Sequence, residues 1–431
     1  MIKRNILYLL FIMALLAGFN PVRAEGLTIE ITKGTEAAMP IAIVPFGHAP
    51  GSMSSVDIAA VVQDDLSASG YFKPLPRVDM LTQPTEPARV RFRNWQALGQ
   101  DYLLIGQVTP AAGQYEVRFQ LFDVYNSEQL MGYKLTARGD KLRQVAHKIS
   151  DLVFEKLTGK PGVFNTHIAY VTSRRIAGNK RRYRLMVADA DGHNAHEIAA
   201  SSQPIMSPAW SPDGKRIAYV SFEGRRSAIY VQRLATGKRQ RVAHWRGING
   251  APAFSPDGRK LAITLSKDGS PDIYILDLNT RQLRKITRSY AIDTEATWSP
   301  DGRYLVFTSD RGGKPQLYKI LLQGGRVKRL TFRGDYNAHA RFSPDGRKLL
   351  MVHGNRGDYR IAVMELANGA INVLSGGRED ESPSFAPNGS IVLYATRKGD
   401  KSYLATVSAD GSMHRRLAFS GGDVREPDWG L

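Results

Sequence analysis

This 431-residue chain contains no cysteine, so any chemistry it performs must come from carboxylates, imidazoles and hydroxyls. The nearest thing to a metal-ligand cluster is His193-x-x-His196 beside Asp189 and Asp191. These residues straddle Gly192 after a strand-like run, so they read as a solvated turn rather than a closed coordination site. Asp213, Asp257, Asp301 and Asp345 recur every 44 residues and invite a calcium reading. Each lies in Ser-Pro-Asp-Gly, where turn formation accounts for it, and a fifth copy carries Asn388 instead. Asp293, Glu295, Asp380 and Glu426 are the remaining convergent carboxylates, and a lactone- or carbohydrate-processing enzyme would have to use them as acid and base. No Gly-x-Ser-x-Gly elbow is present for hydrolase chemistry. The expectation is a binding platform with no catalytic residue, no metal and no cofactor; metal analysis of the purified protein discriminates it from the enzyme.

The elements that hold these carboxylates repeat. Trp210-Ser-Pro-Asp-Gly returns at Phe254, Trp298 and Phe342, in a worn form at Phe385, and as an aromatic alone at Trp429, with intervals of 44, 44, 44, 43 and 44 residues. That period belongs to propeller blades of about four strands each. Proline presets the second turn position, aspartate suits the third and glycine takes the fourth, so the aromatic ends one strand and the run after the turn begins the next. The final copy supplies only a first strand, and its missing continuation matches His167–Thr172. The predicted architecture is therefore an α/β N-terminal domain followed by an all-β six-bladed β-propeller, closed by pairing the C-terminal strand with strands near residue 167. Closure in this way removes exposed strand edges.

The repeated aromatics are expected to pack neighbouring blades together. The strand ending at each aromatic should line the central channel. Three residues before the aromatics stand Ser207, Ala251, Glu295, His339, Ser382 and Glu426, and five before stand Ile205, Asn249, Asp293, Asn337, Asp380 and Val424. Both sets are expected to ring the channel mouth, forming a groove for a protruding peptide or loop.

Residues 1–24 have a basic start, an apolar run from Ile6 to Phe19 and the small-residue site Val22-Arg23-Ala24, the layout of a cleavable signal peptide. No other segment is apolar enough to span a bilayer, so a periplasmic location is expected for the mature chain. Removing the signal takes away Lys3, Arg4 and Arg23 and lowers the formal charge from +19 to +16. Such a surplus favours acidic partners or anionic lipid; export and the scatter of the basic residues argue against nucleic acid. Residues 25–160 read as the α/β domain, with strands at 27–32, 40–46, 101–106 and within 115–137, and helices at 56–69 and 142–157. Gly159-Lys160-Pro161-Gly162 marks the boundary, and 161–431 form the propeller.

The chain resembles the TolB family of the Tol-Pal system. The resemblance is carried by Pro204–Gly214, Asn249–Phe254, Phe154–Gly159 and Ile105–Pro110, and it extends through both domains in the same order. It implies a non-enzymatic periplasmic adaptor that helps keep the outer membrane intact during cell division. The implied partners are the lipoprotein Pal, bound at the propeller, and TolA, bound by the mature N-terminus; further outer-membrane or peptidoglycan-associated proteins are candidate partners. The family's Pal loops match Ile248, Asn249, Gly250 and Ala251, then Thr294 and Glu295. Met206, Asn337, His339, Asp380 and Glu426 complete the expected Pal-facing set. The TolA segment matches 25–34, through Glu25, Leu27, Ile29, Ile31 and Gly34. Members of the family carry histidine where this chain has Ile248.

Overall fold

The computed structural model describes residues 38–49, 55–176, 178, 180–417 and 422–431. The expected signal peptide and the segment 25–34 lie outside the described residues. The described residues belong to one compact unit.

The α/β portion is built on a mixed sheet of order β3-β1-β4-β5-β6, with β2 paired to β4. Its strands are β1 (Met39–Ile43), β2 (Gly47–His48), β3 (Phe72–Pro74), β4 (Tyr102–Ala111), β5 (Gln114–Asp123) and β6 (Glu128–Ala137). β1 runs parallel to β3 and β4, while β4, β5 and β6 form an antiparallel meander. Close approach of β4 to the segment after β1 requires glycine: a Cβ on Gly106 would lie 2.4 Å from the Phe46 ring. Helix α1 (Ile58–Ala68) starts where the Asp57 carboxylate accepts the Ala60 N–H at 2.9 Å, a capping bond that satisfies one orphan donor. The short α2 (Phe92–Ala97) and strand β3 were not expected from the sequence. Helix α3 (Leu142–Thr158) ends at Gly159, whose left-handed backbone (φ 71°) suits a C-terminal glycine.

The propeller has six four-stranded antiparallel blades. In blade 1 the strands are Ile205–Trp210, Arg216–Ser221, Ala228–Arg233 and Arg239–Ala243, and the next four blades follow in sequence. Blade 6 is composite: the C-terminal strand Asp423–Gly430 pairs with β7 (His167–Arg175), followed by β8 (Arg181–Asp189) and β9 (His196–Ser201), with Trp429 opposite Ile168. In the turns, Gly214 N–H donates to Ser211 O at 2.9 Å, and Ser211 Oγ donates to Asp213 at 2.5 Å while accepting Arg216 N–H. The same hydroxyl–carboxylate bond recurs at Ser255, Ser299 and Ser343. In each, the repeated aspartate is committed to its own turn.

The first strand of each blade ends in an aromatic that holds the preceding blade. Trp298 Nε1 donates to Ala253 O and Trp210 Nε1 to Asp428 O, both at 3.1 Å. The α/β portion and the propeller share a core in which Phe154, Val163 and Phe164 pack with Ile391, Leu393, Leu404 and Trp429. Each fully buried side chain of this kind contributes about 1.5–3 kcal/mol of apolar burial.

At this junction β-propeller and helices also meet through charge. His147 of α3 lies between two carboxylates, with Nδ1 2.7 Å from Asp65 of α1 and Nε2 3.3 Å from Asp191. Arg143 also pairs with Asp191, and Ser150 Oγ donates to Asp65 at 2.7 Å. Burial opposes the His147 charge, but the two aspartates outweigh it and raise its pKa to about 10. Burial would likewise raise Asp191, yet His147 and Arg143 hold it far below the ordinary carboxylate range. Although three ligand-type groups converge here, the imidazole stands between the acids and Arg143 supplies a second cation, so the cluster is charge-balanced by its own side chains.

Candidate functional site

The channel mouth is shaped by one backbone device repeated six times. Ser207, Ala251, Glu295, His339, Ser382 and Glu426 all have φ between 46° and 55°. In every inner strand the pairing register shifts around that residue. Such a bulge bends the strand and re-aims the side chain, and here all six bulge residues line the cavity at the mouth.

That cavity has a volume of about 560 Å³. One wall is apolar, formed by Met206, Pro208, Val220, Phe222 and Pro252, and Ile248 stands at its lip, 51% exposed. The opposite side is polar. Glu295 accepts the His339 N–H at 3.1 Å and the Thr308 hydroxyl at 3.0 Å, and its other oxygen lies 3.5 Å from His339 Nδ1. Glu426 accepts the Ser207 N–H at 2.5 Å. Each carboxylate thus ties its own blade to the bulge of the next. Burial pushes both upward, but the bonds from His339 and Thr308 prevail at Glu295 and bring it down to about 2. At Glu426 burial prevails and its pKa is raised.

Two residues further on, just before the aromatics, stand Ala209, Ala253, Thr297, Arg341, Ser384 and Asp428. Among these small residues Arg341 and Asp428 approach to 3.9 Å. Arg341 borders both the mouth cavity and a second cavity of about 410 Å³ at the aromatic end, so it forms a waist between them.

Comparison with known proteins matches residues 27–130 to the TolB amino-terminal domain and residues 154–431 to the TolB beta propeller domain. The chain belongs to the TolB family of Tol-Pal system proteins. It is similar to the Tol-Pal system protein TolB of Nitrosococcus oceani, 63% identical over 94% of this chain and 93% of the relative. The TolB of Methylococcus capsulatus is 60% identical over 99% of this chain and 98% of its own. A crystal structure of TolB from Acinetobacter baumannii superposes with a TM-score of 0.85 at 43% identity, covering 93% of this chain and 98% of that one. TolB proteins are non-enzymatic periplasmic components of the Tol-Pal system. Among the described residues no helix is long and apolar enough to cross a membrane.

Within this TolB framework, Met206, Ile248, Gly250, Ala251, Thr294, Glu295, His339 and Glu426 all border the mouth cavity. Of the ring counted five residues before each aromatic, Asn249 also borders it and Asp380 borders an adjoining cavity of about 540 Å³ shared with Glu295, His339 and Glu426, yet the ring as a whole is turned inward. Asn249, Asp293 and Asn337 are fully buried, Asp380 is 1% exposed, and Ile205 and Val424 are equally inward. The reason is the bulge, which reverses the facing of the residues before it relative to simple counting. Their polar side chains lock the entering loops: Asn249 bonds the Trp245 N–H and carbonyl, and Asn337 bonds Gln316, the Arg333 carbonyl and His353. Asp293 pairs with Arg311 at 2.7 Å, and Asp380 accepts from Ser375 and the Gly377 N–H. Asn249, Asn337 and Asp380 therefore expose almost no side-chain surface and act on the mouth by holding its loops. Of the four carboxylates, Asp293 and Asp380 brace the entering loops, while Glu295 and Glu426 bridge blades. His193 in the turn and His196 at the start of β9 are both exposed, but Asp191 is committed to His147 and Arg143.

Sequence reasoning missed the apolar wall around Phe222 and the waist at Arg341. The signal for the latter was present: one residue before each aromatic, only Arg341 and Asp428 interrupt a series of small side chains.

Proposed function

We propose that the chain is the adaptor of its Tol-Pal system, docking Pal at the channel mouth and TolA through residues 25–34, and that this coupling maintains the outer membrane during cell division. The observation that carries the Pal part is the mouth cavity itself, to which the family-matched positions Ile248, Gly250, Ala251, Thr294 and Glu295 all contribute. An apolar wall facing a polar, bulge-built side accepts a protruding loop better than a flat surface. With Ile248 exposed where relatives carry histidine, the contact at the lip is apolar here and buries a branched side chain on binding. Glu295 acts as an interblade strut that fixes the neighbouring Thr294 for contact.

The reading is tested by co-purification from envelope extract. Ile248→Glu or Thr294→Trp should lose Pal while retaining TolA, and deletion of residues 25–34 should do the reverse, with the melting temperature unchanged. Retention of Pal by both mouth variants would remove the proposed face.

A further inference from the structure

One edge of the channel-mouth face carries a strongly basic projection. The hairpin of β7 and β8 has nine residues in each strand, against six in the matching strands of blade 1. Three additional residues per strand extend it by roughly 10 Å. Between Arg174 and Arg182 the sequence holds five basic residues and no acidic one. The register sets Arg174 opposite Arg182 and Arg175 opposite Arg181. Like charges directly across a strand pair are destabilising, so the arrangement costs stability in the isolated chain. Internal compensation is slight: Arg181 reaches Ser173 Oγ at 2.8 Å and Asp423 at 3.8 Å, and Arg182 reaches Glu197 at 3.5 Å. Among the described residues, Arg174, Arg175 and Lys180 have no acidic partner. At the end of the hairpin Ile176 is 45% exposed.

We infer that this hairpin is a contact point for an anionic lipid surface. Successive strand side chains alternate in direction, so Arg174 and Arg182 face one way and Arg175 and Arg181 the other. A folded acidic protein engages one face of such a finger, whereas a headgroup layer surrounds it and neutralises both. The exposed Ile176 amid the cations supplies the apolar tip that interfacial binding adds to electrostatic attraction. The next hairpin along the rim, between Ile391–Lys398 and Lys401–Ser408, is also lengthened and carries Lys398 and Lys401 beside Asp400, with Arg397 paired to Glu379 at 3.3 Å. None of the β7–β8 hairpin residues borders the mouth cavity, so the inference stands apart from the docking proposed above.

The test is flotation of the purified mature chain with vesicles of phosphatidylglycerol and phosphatidylethanolamine, and with vesicles of phosphatidylcholine alone. The wild type should float with the anionic vesicles only, and less so at high salt. Combined Arg174→Ser, Arg175→Ser and Lys180→Ser substitution should weaken the association about a hundredfold without altering thermal melting. Ile176→Asp should weaken it too, through the apolar contribution. Absence of wild-type flotation, equal flotation with phosphatidylcholine, or undiminished binding by the triple variant would overturn the inference. Capture by immobilised polyglutamate without vesicle binding would overturn it in favour of an acidic protein.

Discussion

His147 is the residue on which the junction between the two folds depends most. It neutralises two buried carboxylates from different elements, and removing one member of such a group leaves uncompensated charge, at a cost of about 3–5 kcal/mol. His147→Ala should therefore lower the unfolding free energy by that order, an effect read from urea melts at pH 7. Its folded-state pKa is raised, from 6.5 to about 10. The stability it contributes is thus fully present below about pH 6.5 and is lost as pH climbs through about 10. Comparison of wild type and His147→Ala should show their stability difference shrinking between pH 7 and pH 10; a constant difference would contradict a protonated His147. This cluster was not legible in the sequence, because Asp65 and His147 are 82 positions apart and meet only once α1 packs on α3. His193 and His196 stand close together in the sequence, but the partner of His147 is Asp191.

At the level of elements, the bulge in each inner strand decides what reaches the channel. Counting three residues before each aromatic finds the mouth because the repeat copies the bulge along with the motif. Counting five back reaches residues that are buried, as at Asn249, Asn337 and Asp380, because a strand's simple alternation does not survive an inserted residue. Strand β3 is likewise hard to read: it has three residues and ends in Pro74, too short for any alternation to appear. The left-handed backbone at the bulges costs a residue with a Cβ about 1–2 kcal/mol, offset partly by the greater unfolded-state freedom of glycine. Ala251→Gly should accordingly be neutral or stabilising by up to about 1 kcal/mol in thermal melts. A loss of more than about 1 kcal/mol would show that the Ala251 methyl packs in a way the bulge argument ignores.

For the whole molecule, ring closure and the docking mouth are one construction. The C-terminal strand pairs with β7 through Val424–Thr172 and Trp429–Ile168, and Trp429 Nε1 donates to Thr166 at 2.8 Å. Deleting residues 424–431 would strip blade 6 of its inner strand, expose the edge of β7 and remove the Glu426 strut to Ser207. Size-exclusion chromatography should find this truncation aggregated and without a cooperative melt; a monomer melting like the full chain would contradict the closure. The six-fold repeat made this architecture legible, since its incomplete last copy and the orphan strand at His167 fit only together. On this ring rests the proposed docking of Pal at the mouth. It is tested most directly by calorimetric titration of the Pal globular domain into the wild type and into Ile248→Glu. Saturable binding by the wild type, weakened at least about tenfold by the charge buried without a partner, is the predicted result. Equal affinity for both proteins would contradict it.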